Sequence, residues 1–112
     1  MEVFRRFTFE SCHSLPNVAE GHKCRRLHGH SYKLIVGVEG DVDPATGFVI
    51  DFGEIKKCVQ PLVEELDHQL LNDTIANPTA ENVAVWFWER IDLPLSYVEV
   101  WETEHAGCRF RG

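Results

Sequence analysis

The chain of 112 residues predicts an α+β fold, a four-stranded antiparallel sheet with two helices on one face in the order ββααββ. Three observations predict it. Two long N-terminal stretches alternate with period two: Val3, Phe7, Phe9 and His13 share one face of the first, and His28, His30, Tyr32, Leu34, Val36 and Val38 one face of the second. Two central segments carry apolar residues at helical spacing. A final stretch alternates again through Val98, Val100 and Glu102. Paired strands flanking helices fold as a helical layer on an antiparallel sheet.

The first strand is expected from about Glu2 to His13 and the second from about His28 to Glu39, joined by a polar loop that carries Lys23, Arg25 and Arg26. Gly40 to Gly47 reads as a turn, from Asp43-Pro44 and Thr46-Gly47. Asp51 then caps the first helix, with Glu54 three residues later in a capping-box arrangement. Phe52, Ile55, Val59, Leu62 and Leu66 form its apolar stripe, and Pro61 is expected to kink or divide it. Thr79 caps the second helix, whose stripe is Val83, Trp86, Phe87 and Ile91, and Pro94 ends it. The third strand runs from Ser96 to about Glu104, and a fourth, short strand from Gly107 to Arg111 follows a tight turn. No repeat or linker divides the chain, so residues 1–112 read as one domain. An uncovered sheet face or open edges would favour an oligomer.

Composition narrows the function. At 44% hydrophobic residues a core can form, and a net charge of −7 argues against broad nucleic-acid binding. No apolar run approaches the ~18 residues of a spanning helix, so no membrane association is expected. The start, Met1 to Arg6, lacks the apolar segment of an export signal, so a soluble cytoplasmic protein is expected. The four cysteines, Cys12, Cys24, Cys58 and Cys108, show no paired spacing and read as free thiols.

The chemistry-bearing signal is Cys24-Arg25-Arg26-Leu27-His28-Gly29-His30. On a strand, His28 and His30 point the same way and can reach one ion. His13 ends the neighbouring strand on the same face. Three neutral imidazoles with a fourth position open are the donor set of a catalytic zinc. Cys24 stands among Lys23, Arg25 and Arg26, cations that stabilise a thiolate. It reads as a general base or nucleophile, as a fourth zinc ligand, or as an exposed loop cysteine. Asp67-His68 offers a carboxylate–imidazole pair for proton transfer if the turn folds the two together. Glu102 continues an apolar strand face, where a carboxylate either aims into a pocket or ends the strand in solvent. A pocket glutamate suits a bidentate hydrogen bond to an amino-pyrimidinone edge.

Taken together, these residues resemble the 6-pyruvoyl and 6-carboxy-tetrahydropterin synthases of the tunnelling fold. The resemblance covers nearly the whole chain. It runs through Phe7-Thr8-Phe9-Glu10 with His13, Gly21-His22-Lys23-Cys24, Leu27-His28-Gly29-His30-Ser31 and Asp51-Phe52. It continues through Leu66-Asp67-His68, Leu71-Asn72-Asp73, Asn77-Pro78-Thr79, Glu102-Thr103 and Ala106-Gly107-Cys108. It implies Zn2+ on His13, His28 and His30, a catalytic Cys24, an acid–base pair in Asp67 and His68, and pterin contacts from Glu102 and Thr79. Lys23, Arg25 and Arg26 are the candidates for substrate phosphates, with Arg109 and Arg111 as further cations.

Only three residues separate Cys24 from His28, which looks like the 6-carboxy branch of 7-deazaguanine and queuosine biosynthesis. Ala80 departs from the second pocket threonine of the 6-pyruvoyl branch, and Arg25 from the small residue expected after the cysteine. The implied reaction converts 7,8-dihydroneopterin triphosphate to 6-carboxy-5,6,7,8-tetrahydropterin, releasing acetaldehyde and triphosphate. The alternatives are a 6-pyruvoyl-tetrahydropterin synthase, a non-catalytic zinc-binding module on the same fold, and an aldolase cleaving dihydroneopterin itself. The resemblance also implies a homo-oligomeric barrel, usually a hexamer of two trimers, with active sites between subunits.

Overall fold

β1 (Glu2–His13) and β2 (His28–Glu39) pair antiparallel over their whole length, with Glu2 opposite Glu39 and His13 opposite His28. The computed structural model describes all 112 residues. After β2 come α1 (Phe52–Leu66), β3 (Gln69–Leu70), α2 (Ala80–Arg90), β4 (Leu95–Trp101) and β5 (Gly107–Phe110). Short 3-10 turns occupy Lys23–Arg25 and Leu71–Asp73. The sheet order is β3-β1-β2-β4-β5, with β3 parallel to β1 and every other pair antiparallel.

The sheet therefore has five strands and is mixed, a correction to the four antiparallel strands expected. Two residues, Gln69 and Leu70, are too short to display an alternation, so β3 leaves no periodic signal. The two long strands match their expected limits. β4 stops at Trp101, short of the expected Glu104, because the amides of Glu102 and Thr103 turn back to the Ala106 carbonyl. Glu102 thus stands on a turn just past the strand end.

Both helices cover one sheet face, α1 over β1 and α2 over β4 and β5. The covered face supplies the core through Phe7, Phe9, Tyr32, Leu34, Val36, Val38, Val98 and Val100, all buried. The opposite face stays open, with Phe4, Arg6, Thr8 and Glu10 exposed. Asp51 caps α1 as expected, but its carboxylate accepts from the Gly53 amide, so the capping box with Glu54 does not form. Pro61 lies inside one continuous helix. A proline there removes a single hydrogen bond, and burial of Ile55, Val59, Val63 and Leu66 on the sheet outweighs that loss. Phe52, placed in the stripe by sequence, is exposed. Thr79 caps α2, accepting from the Asn82 amide at 3.2 Å, and the stripe Val83, Trp86, Phe87 and Ile91 is buried.

The C-terminus of α1 is tied to β1 next to the site. Buried Ser11 donates its hydroxyl to the Leu66 carbonyl, one of the helix's last acceptors. Ser11→Ala leaves that buried acceptor without a partner, so it should lower stability by about 1–3 kcal/mol in urea unfolding at fixed protein concentration.

Candidate metal centre and flanking groups

The pairing of β1 with β2 puts His13 directly across from His28 and diagonal to His30, all on the helix-covered face. The ring centroids lie 4.4 Å (His13–His28), 5.0 Å (His13–His30) and 4.9 Å (His28–His30) apart. One nitrogen from each ring falls within 4.8 Å of the others. His13 is fully buried, while His28 and His30 line the wall of an opening cavity.

Two backbone carbonyls decide which nitrogens face the common point. His13 Nδ1 is 2.7 Å from the Pro78 carbonyl, and His28 Nδ1 is 2.6 Å from the Arg26 carbonyl. A carbonyl only accepts, so each Nδ1 carries the proton and each Nε2 presents a lone pair. Those two Nε2 atoms are 2.9 Å apart. Lone pairs facing each other at that distance repel unless a proton or cation lies between them. The His30 Nε2 is buried with no hydrogen-bond partner. Burial lowers the pKa of His30, which Glu102 opposes and the other two imidazoles reinforce. A neutral imidazole whose buried Nε2 has no hydrogen-bond partner is free to serve as a metal ligand. The three histidines can hold one metal ion, and three nitrogen donors suit zinc with an open fourth position. The Tyr32 hydroxyl lies 3.2 Å from His13 Nδ1, and its ring stacks on Phe9 at 4.9 Å. Burial raises the Tyr32 pKa well above its ordinary value, so the phenol stays protonated.

Glu102 reaches over this cluster, its carboxylate oxygens 4.0 Å from His13 Nε2 and 3.9 Å from His30 Nε2. Glu102, His28 and His30 share a cavity of about 480 Å³ with Lys23, Cys24 and Arg26. The structure therefore gathers Cys24 and two of the three expected phosphate cations around the histidines. The third, Arg25, turns its guanidinium to the Val18 carbonyl at 2.9 Å. Arg109 is held by Glu99, donating Nε and Nη2 at 2.7 Å each. Thr79 follows Pro78, with its hydroxyl oxygen engaged in the α2 cap.

Asp67 and His68 do fold together, Nδ1 lying 3.0 Å from Oδ2. His68 opens onto a different cleft, of about 460 Å³, which Glu10, Cys12 and Ser31 also line on the uncovered sheet face. Asp67 Oδ1 also accepts from the Glu10 amide at 2.9 Å. His68 has φ of 56°, a left-handed conformation unusual for a residue with a side chain. Its amide bonds the Glu10 carbonyl, which holds that conformation in place.

Residues 2–112 match the sequence pattern of the 6-pyruvoyl tetrahydropterin synthases. The chain belongs to that family. It is 40% identical to a 6-carboxy-5,6,7,8-tetrahydropterin synthase from Synechocystis, over 96% of this chain and 91% of that protein. It is 37% identical to a dihydroneopterin monophosphate aldolase from Pyrococcus furiosus, over 94% of this chain and 92% of that one. The solved 6-pyruvoyl tetrahydropterin synthase of Caenorhabditis elegans superposes with a TM-score of 0.90 at 26% identity, covering 100% of this chain and 95% of that chain. The five-stranded mixed sheet under two helices is thus a fold this family shares.

Sequence reasoning missed the groups that orient the ligands. The carbonyls of Pro78 and Arg26 leave no side-chain signature. Tyr32 was detectable, since it lies two residues beyond His30 on the same face.

The Asp67 carboxyl pKa is lowered chiefly by the Glu10 amide and secondly by His68. A group depressed in the folded state stabilises above its unfolded pKa, and this is lost as pH falls through the folded value. Asp67→Asn should therefore flatten the part of the acid-unfolding curve below about pH 4, and leave the curve near neutrality parallel to wild type.

Proposed function

We propose that the protein is a zinc-dependent lyase that converts 7,8-dihydroneopterin triphosphate and water to 6-carboxy-5,6,7,8-tetrahydropterin, acetaldehyde and triphosphate. This places it in the cytoplasm at an early step of 7-deazapurine biosynthesis of the queuosine type. The observation that carries the reading is the shared cavity. Three imidazoles aim at one point, with a thiol, a carboxylate and two cations around it. The Synechocystis relative and the short Cys24–His28 spacing favour the carboxy product over the pyruvoyl one.

In this reading His13, His28 and His30 hold the zinc, which supplies electrophilic stabilisation for charge developing on the substrate's side-chain oxygens. Glu102 accepts hydrogen bonds from the amino-pyrimidinone edge and sets the ring's depth, with Thr79 as a second pterin contact. Cys24 takes the proton from the side-chain carbon next to the ring, its thiolate favoured by Lys23 and Arg26. Those cations, and Arg25 if it leaves Val18, neutralise the triphosphate. Asp67 orients His68, which manages protons on the other side of the substrate. Because His68 and Cys24 open onto different clefts of one chain, a homo-oligomer supplies them to one site from two subunits. The uncovered sheet face and the free outer edge of β1 from Glu2 to Phe9 support that assembly, and a hexamer of two trimers is the form proposed.

The identity to the Pyrococcus enzyme favours one second reading, an aldolase acting on a less phosphorylated dihydroneopterin. Product analysis by mass spectrometry decides between them. Zinc-loaded protein with 7,8-dihydroneopterin triphosphate should yield carboxy-tetrahydropterin and acetaldehyde, and Cys24→Ala should lower that turnover at least 100-fold with zinc retained. A pyruvoyl product would move the protein to the other synthase branch. Equal turnover of the monophosphate or of dihydroneopterin would favour the aldolase. Bound zinc with no turnover of any of these substrates would leave a zinc-binding module.

Metal content by plasma mass spectrometry should show one zinc per chain. His30→Ala should lower zinc affinity 100-fold or more in chelator competition, since it deletes a direct ligand.

A further inference from the structure

The Leu71-Asn72-Asp73 segment has no part in the roles described so far, yet its central side chain makes a two-bond contact with the residue that follows His13. Asn72 Oδ1 accepts from the Ser14 amide at 2.9 Å, and Asn72 Nδ2 donates to the Ser14 carbonyl at 2.7 Å. Both halves of the amide are thus spent on the backbone of the residue that follows His13. Ser14 in turn donates its hydroxyl to the Arg25 carbonyl at 2.7 Å, and the Leu15 amide donates to the Cys24 carbonyl at 2.9 Å. The next carbonyl, that of Arg26, orients His28.

The same segment is docked along β1 on its other side. The Glu10 amide bonds Asp67, the His68 amide bonds Glu10, and Gln69 and Leu70 pair with Ser11 and Cys12. Residues 67 to 72 form one continuous rail beside residues 10 to 14. Two strand residues alone hold a parallel register weakly. The bidentate contact from Asn72 closes the rail at its far end.

We propose that Asn72 is a positioning residue that locks the end of β1, and through Ser14 the Cys24 loop, so that His13, His28 and Cys24 stay in mutual register. The zinc half of this inference rests on the metal reading above, and the thiol half does not. Loss of the clamp frees Ser14, and with it two of the bonds that hold the Cys24–Arg26 loop. The cavity wall then loosens without any change in the ligand side chains.

The test uses the full-length protein and two readouts. One is zinc affinity by chelator competition. The other is the alkylation rate of Cys24 by iodoacetamide in zinc-free protein, read peptide by peptide with Cys58 as internal reference. Asn72→Ala should weaken zinc about tenfold, the scale for a ligand-orienting group, and raise the Cys24 rate at least threefold with Cys58 unchanged. Asn72→Asp keeps the acceptor for the Ser14 amide but sets a carboxylate oxygen against the Ser14 carbonyl, so it should behave like Asn72→Ala in both readouts. Val38→Ala, at the far end of the sheet, serves as a destabilised control and should move neither readout.

Ser14→Ala removes only the exposed hydroxyl link and no core contact, so it reports even if Asn72→Ala fails to fold. It should raise the Cys24 rate in the same direction. Wild-type zinc affinity and Cys24 rate in folded Asn72→Ala, or an unchanged Cys24 rate in Ser14→Ala, overturns the proposal. If wild-type protein binds no zinc while Asn72→Ala still raises the Cys24 rate, the metal reading fails and the clamp stands.

Discussion

The register of β1 against β2 is the constraint from which the site follows. With His13 opposite His28, three histidines from two strands share one face and one end of the sheet. A slip of one residue would send one strand's histidines to the uncovered face, along with Phe7 and Phe9 or Tyr32 and Leu34. The core forbids that slip, because these residues are buried and would each lose a large share of their apolar contact. The same hydrophobic alternation thus specifies the fold and assembles the donor set. Nothing in the histidines has to stabilise the arrangement they occupy.

Bringing three imidazoles together has a cost that the surroundings manage. Two bare Nε2 atoms 2.9 Å apart, and a third that is buried without a partner, form an electrostatically unfavourable group in the absence of a cation. Each of the two oriented rings is held by a backbone carbonyl on a segment anchored elsewhere. Pro78 leads into the capped start of α2, and Arg26 closes the loop that carries Cys24. The orienting groups therefore couple the three histidines to the helix layer on one side and to the Cys24 loop on the other. Glu102, at about 4 Å from two of the nitrogens, places a negative charge where a cation would be favoured.

How much of this could be read from sequence follows from which interactions leave a periodic trace. The limits of β1 and β2, the caps Asp51 and Thr79, and the buried stripe of α2 came from alternation, helical spacing and capping chemistry, which are local. The His13, His28, His30 cluster was legible because strand parity converts sequence position into facing. β3 was not, since two residues carry no period, and its pairing with β1 depends on contacts 58 residues away in sequence. Of the kink or division expected at Pro61, the division does not occur, for a related reason. The local cost of proline is visible in the sequence, whereas the burial that offsets it is a property of the packed sheet. The partners of Arg25 and Arg109, a carbonyl and a buried glutamate, are tertiary facts with no local signature.

The separation of Asp67–His68 from Cys24 carries a further consequence for how the chain is built. The pair hangs on the Glu10 backbone at one end of the rail that Asn72 closes at the other. One face of β1 is thereby committed to His13 and the core, while Asp67 and His68 stand at the outer edge beside the opposite face. Cys24 and His68 thus line clefts on opposite faces of the sheet, which stands between them. In the proposed function, chemistry that uses both takes one of them from a second copy. The open face of the sheet and the unpaired stretch of β1 stand where that copy would have to meet the first.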